Sequence, residues 1–462
     1  MEANEILSRT EALRATLSSG FRDEMVKGLY AQAEQIARRA VKTVGDKKYD
    51  FDQKVDRLVT SPIFGLPIML LMLAAIIWLT VQGANYASEW IANILFWVEE
   101  QGAALFNLIG LPWWITGFVW NGVYRGLAWV IAVMLPPMAI FFPAFTILED
   151  LGCLPRVAFN LDWLFKKAGA HGKQSLTMAM GFGCNAAGVI ATRVIDSPRE
   201  RLIAILTNNF VPCNGRFPTL IMLATVFVAA TFSPALTSFI AAGTVVGVVL
   251  IGIGFTFFMS WLLSRTVLKG EASAFTLELP PYRRPNIGRI LYTSLIDRTL
   301  FVLWRAIQTA APAGAIIWIL ANIPFGDSNL AGAIANWLNP FGLLLGLDGV
   351  ILLAYIIAIP ANEIVVPTMM MMYMGVGMMI DAPSSSEAIR SLLVDGHGWT
   401  MLTAVNLMLF SLLHNPCATT VMTIYKETKS KKWATLSVVI TLGTAFLVTF
   451  LTASLARLLG WV

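Results

Sequence analysis

Seven apolar stretches of about 20 residues or more recur along this chain, and they constrain its fold more than any other feature. A helix of about 20 residues spans a bilayer core about 30 Å thick. The chain of 462 residues is 57% hydrophobic and only 13% charged, whereas soluble domains carry about 25% charged residues. We therefore predict an all-α, polytopic transmembrane protein. The predicted spans are 62–83, 117–148, 201–228, 237–263, 298–322, 400–426 and 431–458.

Lysine and arginine residues cluster between these spans, and their distribution predicts the orientation of the chain. Positively charged loops are retained on the cytoplasmic side of a membrane. Of the 33 Lys and Arg residues, 29 lie in four segments: 11 in 1–57, 7 in 156–201, 7 in 265–305 and 4 in 426–432. Placing these segments inside predicts a multi-pass protein of the cell (inner or plasma) membrane with a cytoplasmic N-terminus. The net charge of +5 then needs no nucleic-acid partner.

Two further apolar segments, 174–192 and 347–378, are interrupted by Gly, Pro, Asn or Glu. In the predicted orientation the first begins and ends in the cytoplasm and the second begins and ends outside, so we predict two re-entrant hairpins. The order of span, hairpin, broken span and span then occurs twice, with the second copy inverted. Inverted repeats with broken helices are common in transporters, and the substrate site lies at the repeat interface. The alternative is an accidental pattern in a generic helical bundle.

The predicted organisation has five parts, and the second of them includes a segment that lies flat in the membrane interface. Residues 85–114 are amphipathic and rich in Trp, and they contain no Lys or Arg, which is typical of an interfacial segment. The predicted parts are a cytoplasmic helical segment 1–60, a first transmembrane helix with the interfacial segment 61–116, a first repeat 117–268, a cytoplasmic linker 269–296 and a second repeat 297–462.

Four breaks in the apolar segments combine a helix-breaking residue with a donor side chain. Their sequences are GFGCN (181–185), NNFVPCNGRFP (208–218), IPANEIVVP (359–367) and LLHNPCATT (412–420). Proline removes a backbone donor and glycine loosens a helix. Backbone groups freed at membrane depth are tolerated only inside protein or beside a wet cavity, where they can coordinate ions.

The side chains at the breaks predict a path for a transition metal. Three of the four cysteines lie at breaks, and none forms a CxxC motif; Cys153 is interpreted as a small buried hydrophobe. Sulfur ligands suit Fe, Cu or Zn, whereas all-oxygen sites suit Mg or Ca. Glu363 is a strong candidate, because an ionisable group inside a membrane segment is costly unless it is functional. The predicted metal ligands at the breaks are Cys184, Asn185, Cys213, Asn214, Asn362, Glu363 and Cys417.

Several other polar residues have two interpretations each. Glu149 and Asp150, at a predicted helix end near the cytoplasm, either receive and release a cation or form a solvated helix end. Arg216 needs a partner if it is buried, and Glu363 is one option. His414 is either a satisfied core histidine or a ligand. The methionines at 369–372 more often fill a core than bind a metal.

These motifs resemble the membrane domain of the FeoB ferrous-iron transporters over most of the chain. The resemblance rests on "DRLVTSPIFGLPI", "LEDLGCLPRVAFNLDWLFKKAGAHGK", "MGFGCNAAGVIATR", "RERLIAILTNNFVPCNGRFPTLI", "PANEIVVPT" and "LLHNPCATTVMTIYKETKSKKW". It implies two Gate-like repeats, of the kind also found in nucleoside transporters, and transport of Fe²⁺. In the family, cysteines at such positions are proposed for the iron path, which implies this role for Cys184, Cys213 and Cys417.

The sequence departs from the family in two respects. It contains neither GxxxxGK[ST] nor NKxD, so we expect it not to bind GTP, and residues 1–57 look like the helical link to a GTPase domain. The resemblance then implies a separate GTPase protein that docks on residues 1–57. Asn362 stands where the family tends to have a lysine, which alters the charge beside Glu363.

The sequence thus predicts an inner-membrane importer of Fe²⁺ or a related divalent transition metal. It predicts no enzyme and no bound cofactor, with the metal ion as the transported substrate. Two alternatives stay open: a Gate-domain carrier of an organic solute such as a nucleoside, and a non-transporting membrane partner. A homo-oligomer is also compatible with the sequence.

Overall fold

The computed structural model describes residues 21–40, 47–61, 63–231, 236–270, 282, 285–326, 328–380, 382–383 and 385–460. The predicted cytoplasmic segment therefore lies outside the described residues at 1–20 and 41–46, and the predicted linker 269–296 does so at 271–281 and 283–284. The remainder is almost entirely helical, which confirms the all-α prediction.

The α-helices are Phe21–Ala40, Lys47–Val59, Gly65–Leu108, Trp113–Thr116, Arg125–Asp150, Cys153–Lys167, Gln174–Gly183, Asn185–Ala191, Pro198–Thr207, Phe217–Leu223, Thr237–Arg265, Ile287–Tyr292, Phe301–Asn322, Leu330–Leu344, Gly349–Ile357, Val365–Tyr373, Ser386–Arg390, Met401–Leu413, Ala418–Thr428 and Lys431–Leu458. Wider π-helical turns are Gly117–Tyr124, Ala224–Val228, Thr293–Leu300 and Ser391–Asp395, and tighter 3₁₀ turns are Thr192–Val194, Asn208–Phe210, Asn214–Arg216, Ala229–Thr231 and Asn362–Ile364. The strands Pro324–Phe325 and Ser328–Asn329 pair antiparallel, with Pro324 opposite Asn329.

Six helical segments are long and apolar enough to cross a membrane, and each coincides with a predicted span. They are Trp113–Asp150, Pro198–Val228, Phe239–Arg265, Leu303–Asn322, Met401–Thr428 and Lys431–Leu458. A seventh candidate is the pair Leu330–Leu344 and Gly349–Ile357, which is bent by 110°. The sequence predicts no span at 330–344, because 15 residues are too few to cross a membrane.

The predicted span 62–83 and the predicted interfacial segment 85–114 are not separate elements. Residues Gly65–Leu108 form one unbroken helix of 44 residues, about 66 Å long at 1.5 Å per residue. This corrects the separation of the two segments. Neither Gly83 nor Gly102 interrupts the helix, because a single glycine weakens a helix by only about 1 kcal/mol.

A similar order of elements occurs in a first half (113–265) and in a second half (287–458). Each half has a long helix, a helix of 15 residues, a pair of short helices, a broken helix and a final long helix. The long first helices of the two halves run antiparallel, since Gly117 contacts Trp318 whereas Gly126 contacts Gly314 and Ala310. This antiparallel packing supports the prediction of inverted repeats, whose placement in a bilayer stays a prediction.

We name four features of the two halves by their residues. Hairpin 1 is residues 174–191 with Cys184 between its two helices, and hairpin 2 is residues 349–373. Break 1 is residues 208–216 and break 2 is residues 414–417. The chain reverses in each hairpin. In hairpin 1 the two helices approach closely, since a Cβ on Gly188 would lie 2.8 Å from the Thr177 carbonyl oxygen. In hairpin 2 the Tyr373 hydroxyl, at one end, donates a 2.6 Å hydrogen bond to Asp348, at the other end.

Replacing Gly314 by alanine is expected to destabilise the packing of the two halves. A Cβ at Gly314 would overlap the Gly122 carbonyl oxygen and lie 3.2 Å from the Gly126 Cα atom. Overpacking of this kind costs about 1–3 kcal/mol, so thermal unfolding in detergent should occur at a lower temperature. Gly443→Ala is the matched control, since nothing lies within 4 Å of its added Cβ; equal unfolding temperatures for both variants would contradict the tight seam.

Candidate metal-binding site

Each of the four breaks has an extended residue immediately before a new helix begins. Cys184 of hairpin 1 has φ −152° and ψ 124°, and Ala361 of hairpin 2 has φ −152° and ψ 117°. Cys213 and Cys417 are also extended, and each follows a proline in the sequence. At these positions hairpin 1 has the sequence Cys184-Asn185 and hairpin 2 has Ala361-Asn362. Both breaks have a Pro-Cys pair.

The residues at these breaks surround one cavity between the two halves. The volume that the centre of a water-sized sphere can occupy in this cavity is about 30 Å³. On the same measure, one water molecule needs about 10–15 Å³. Seven predicted ligands line it, namely Cys184, Asn185, Cys213, Asn214, Asn362, Glu363 and Cys417. The cavity also contains the side chains of Met134 and Met138 and the residues Thr419 and Thr420.

Glu363 contributes the single carboxylate of the cavity lining, and Gly215 of break 1 provides the space for it. A Cβ on Gly215 would lie 2.6 Å from the Glu363 Cδ atom and closer still to Oε1. Any larger residue at this position would therefore displace the carboxylate. Nearby, the Cys417 sulfur lies 3.3 Å from the Thr420 hydroxyl, which fixes the thiol at the start of helix Ala418–Thr428.

The amides of Asn185 and Asn362 are partly committed to holding the breaks in place. With its oxygen and nitrogen exchanged, Asn185 donates hydrogen bonds to the carbonyl oxygens of Val211 at 3.2 Å and Gly181 at 3.1 Å. This orientation leaves its own oxygen as the acceptor. Asn362 Oδ1 lies 3.3 Å from His414 Nε2, and His414 Nδ1 lies 2.9 Å from the Ser411 carbonyl oxygen. Both nitrogens of His414 therefore have partners, which favours the interpretation as a core histidine.

Glu149 and Asp150 do not join this group. Both are exposed at the end of helix Arg125–Asp150, and neither lines the cavity. The methionines Met369, Met370 and Met371 are buried and pack in the largest apolar cluster. The thioethers that do reach the cavity, Met134 and Met138, were missed by the sequence analysis. Their signal was the sequence MLPPM, in which two methionines four residues apart flank two prolines that disturb the helix.

Arg216 is buried beside the cavity and is held by backbone carbonyl groups. It is 1% exposed, and its guanidinium donates hydrogen bonds to the carbonyl oxygens of Asn209, Leu412 and His414. No ion pair joins Arg216 to Glu363, although the structure describes both residues. The suggested pairing of these two residues is therefore wrong.

The donors around the cavity do not form a closed metal site. Among the residues that the structure describes, no three His, Cys, Asp or Glu side chains are grouped closely enough to hold a metal ion. The lining instead offers thiols, thioethers, amides and one carboxylate at several positions. Such a lining suits an ion that passes through, because transport requires binding that is strong enough for entry and weak enough for release.

The two helices that leave the cavity from hairpin 1 and break 2 are tied together at their far ends. Glu427, at the end of Ala418–Thr428, pairs with Arg193 at 2.6 Å and with Arg201 at 2.7 Å. Glu427 is buried, with 6% side-chain exposure, whereas Arg193 is largely exposed. These ion pairs join the first half to the second on one side of the cavity.

The N-terminal segment reaches the membrane part through a second cluster. Arg156 of helix Cys153–Lys167 is buried and pairs with Asp56 at 2.9 Å, while the Tyr282 hydroxyl donates a 2.8 Å hydrogen bond to the same carboxylate. Burial would raise the pKa of Asp56, but the hydrogen bonds from Arg156 and Tyr282 outweigh it and lower the pKa. The Tyr282 ring also covers the guanidinium of Arg156 at 4.1 Å.

Two family models match the chain. The Gate model, described as "Nucleoside recognition", matches residues 131–227 and 303–431, so that it covers the hairpin and the break of each half. The model "Ferrous iron transport protein B C terminus" matches residues 245–297. The two ranges of the first match lie within the predicted repeats 117–268 and 297–462. No solved structure matches the chain.

Curated relatives share the resemblance over most of the chain. A protein of Staphylococcus aureus strain MSSA476, named Fe(2+) transporter FeoB, is 29% identical over 88% of this chain and 59% of its own length. Proteins of the same name from Synechocystis and Legionella pneumophila are 28% and 30% identical, over 88% and 75% of this chain and 63% and 47% of their own lengths. The chain thus spans roughly half to three-fifths of these relatives. The two Gate segments and the FeoB C-terminal segment make the chain similar to the membrane part of the FeoB proteins.

Proposed function

We propose that this chain forms a membrane path for the import of Fe²⁺ or a related divalent transition metal. The observation that carries the proposal is the cavity at the four breaks, which brings Cys184, Cys213 and Cys417 together with Glu363. Sulfur donors suit transition metals, and an intramembrane carboxylate offsets the charge of a cation. The relatives named Fe(2+) transporters support iron as the cargo.

The size of the cavity favours an ion over the alternative of an organic solute. Sites for small organic molecules have volumes of about 300–1,000 Å³, whereas this cavity has about 30 Å³. The bases and ribose of a nucleoside would also call for aromatic contacts, and the lining contains no aromatic side chain among its described residues.

The path that we propose passes Asn362, Glu363 and the three thiols, and the hairpins and breaks act as its gates. The predicted orientation, with the N-terminus in the cytoplasm, makes the transport inward. Glu149 and Asp150 lie outside the cavity, so their proposed role is limited to a cytoplasmic exit. No step of this path requires the chain to be an enzyme.

A separate GTPase protein is proposed to regulate the path by docking on residues 1–57. The helix Lys47–Val59 contacts helix Cys153–Lys167 through Asp56 and Arg156, and the latter helix precedes hairpin 1. Movement of the N-terminal segment would thereby reach Cys184. Binding of a candidate GTPase to purified protein, compared before and after proteolytic removal of residues 1–57, is the measurement; equal binding would contradict the docking site.

Serine replacements of the cavity cysteines test the path. We expect Cys184→Ser, Cys213→Ser and Cys417→Ser each to lower Fe²⁺ uptake into liposomes about tenfold, because a hydroxyl is a poor substitute for a soft sulfur ligand. Cys153→Ser is the matched control, since Cys153 is partly buried but does not line the cavity. Uptake should be measured anaerobically across Fe²⁺, Mn²⁺, Zn²⁺ and Mg²⁺.

Two results would contradict the proposal in different ways. Undiminished uptake by all three cavity variants would rule out a path through the thiols. Wild-type protein that passes no Fe²⁺, even with a candidate GTPase added, would favour the non-transporting membrane partner instead.

A further inference from the structure

Arg216 joins the two halves of the molecule through backbone carbonyl groups alone. Nη1 donates to the Asn209 carbonyl oxygen at 2.9 Å and to that of Leu412 at 2.7 Å, and Nη2 donates to that of His414 at 3.1 Å. Asn209 belongs to break 1, whereas Leu412 and His414 lie at break 2. One side chain of the first half therefore holds both breaks.

The two carbonyls of the second half lack a helical donor for identifiable reasons. In a continuous helix, the N–H four residues later would serve each carbonyl. For Leu412 this residue is Pro416, which has no N–H. For His414 it is Ala418, whose N–H donates instead to the Ile359 carbonyl oxygen of hairpin 2 at 2.8 Å. Buried carbonyls without such donors need another partner.

In other transporters, carbonyls freed at broken helices coordinate a coupling cation such as Na⁺. Here a positive charge already lies among them. Arg216 is 1% exposed, and it forms no ion pair with a carboxylate in the described part of the chain. Its charge is therefore balanced mainly by carbonyl dipoles, as the charge of a bound Na⁺ would be, and its planar fork reaches three of them at once.

We propose that Arg216 is a built-in substitute for a coupling cation at the two breaks. The guanidinium holds break 1 against break 2 and so forms the wall of the cavity without bound Na⁺ or K⁺. Arg216 does not line the cavity, so it acts as a positioning residue. The consequence for uptake rests on the proposed function, whereas the consequence for stability does not.

Chemical rescue of an Arg216 variant tests, without any iron, whether Arg216 takes the place of a cation. We expect Arg216→Ala to lower the unfolding temperature in detergent, and guanidinium or ethylguanidinium at low millimolar concentration to restore part of the loss by refilling the space between the carbonyls. Arg199→Ala is the matched control. Arg199 also donates to two carbonyl oxygens, of Leu268 at 2.6 Å and Ser264 at 3.4 Å, but far from the breaks and in a partly exposed position. Its variant should gain nothing from guanidinium.

Transport gives a second, independent readout. Wild-type uptake of Fe²⁺ should be equal in Na⁺, K⁺ and choline buffers, and Arg216→Ala should lose about tenfold and recover in part with guanidinium. Where Arg216→Ala does not fold, Arg216→Lys replaces it, and its ammonium should keep uptake independent of Na⁺ with an intermediate unfolding temperature.

The outcomes separate this proposal from the proposed function. Wild-type uptake that requires Na⁺ or K⁺, or an Arg216→Ala variant whose stability guanidinium does not restore, would overturn the role of Arg216. Wild-type protein that carries no Fe²⁺ at all would overturn the transport function instead, while the rescue of stability would still decide whether Arg216 replaces a cation.

Discussion

Glu363→Gln should lower Fe²⁺ uptake about tenfold to a hundredfold, the largest loss expected for a single change of charge in this molecule. Glu363 is the one carboxylate among the described residues that line the cavity. Glutamine keeps the size and one oxygen but removes the negative charge. A divalent cation would then enter a poorly solvated space without a compensating charge, which is costly.

Glu387→Gln provides the control, because Glu387 has the same chemistry in an exposed helix away from the cavity. We expect uptake by this variant to stay within about twofold of wild type, as surface changes of this kind rarely matter. The unfolding temperature of Glu363→Gln should not fall, since Glu363 forms no ion pair with the residues that the structure describes. If Glu387→Gln lost uptake and Glu363→Gln did not, the path would have to avoid the cavity.

The sequence predicted those parts of the fold that are encoded locally. Apolar length located the six spans, and Pro and Gly located all four breaks, because these residues act on the helix in which they occur. The prediction failed where the continuity of a helix depends on the residues packed around it. Nothing in residues 85–108 requires a separate segment, and the structure continues the helix from Gly65 to Leu108. Helix Leu330–Leu344 was missed because its 15 residues are too few for a span and Pro340 lies inside it.

The candidate site was predictable as a list of residues and not as a set of contacts. Seven break residues line one cavity, whereas the sequence leaves open whether the three thiols meet. The partner of Arg216 was not predictable, because three carbonyls from distant segments meet its guanidinium, and backbone carbonyls leave no mark in a sequence. Met134 and Met138 were overlooked for a related reason, since a methionine that fills a core and one that lines a cavity look alike in sequence.

At break 2, the Pro-Cys pair and the Leu412 carbonyl that binds Arg216 have a common origin. A proline at a break leaves a carbonyl four residues earlier without its donor, and at the same time starts a new helix with an extended residue before it. At break 2 the residue is Cys417, whose thiol lines the cavity, and the freed carbonyl is that of Leu412, which binds Arg216. Pro416 thus places the Cys417 thiol at the cavity, and it also leaves the Leu412 carbonyl oxygen free to accept a hydrogen bond from Arg216.

Gly215→Ala should abolish most uptake although it removes no donor side chain from the cavity. The added Cβ would lie 2.6 Å from the Glu363 Cδ atom and nearer to Oε1, so the carboxylate must move. Gly215 has no positive φ, and the alanine backbone itself is unstrained. We expect about a tenfold loss of uptake, since a displacement of about 1 Å at a binding centre has effects of this size or larger. Gly254→Ala, with nothing within 4 Å of its Cβ, should transport as wild type.

A double-mutant cycle separates displacement of the carboxylate from other effects of the methyl group. In a Glu363→Ala background, the alanine at position 215 meets no carboxylate, so adding it should change uptake little further. Residues in contact give such non-additive effects, whereas independent sites add. If Gly215→Ala lowered uptake by the same factor in both backgrounds, the methyl group would act on break 1 itself, and the fit of Glu363 against Gly215 would not be what positions the carboxylate.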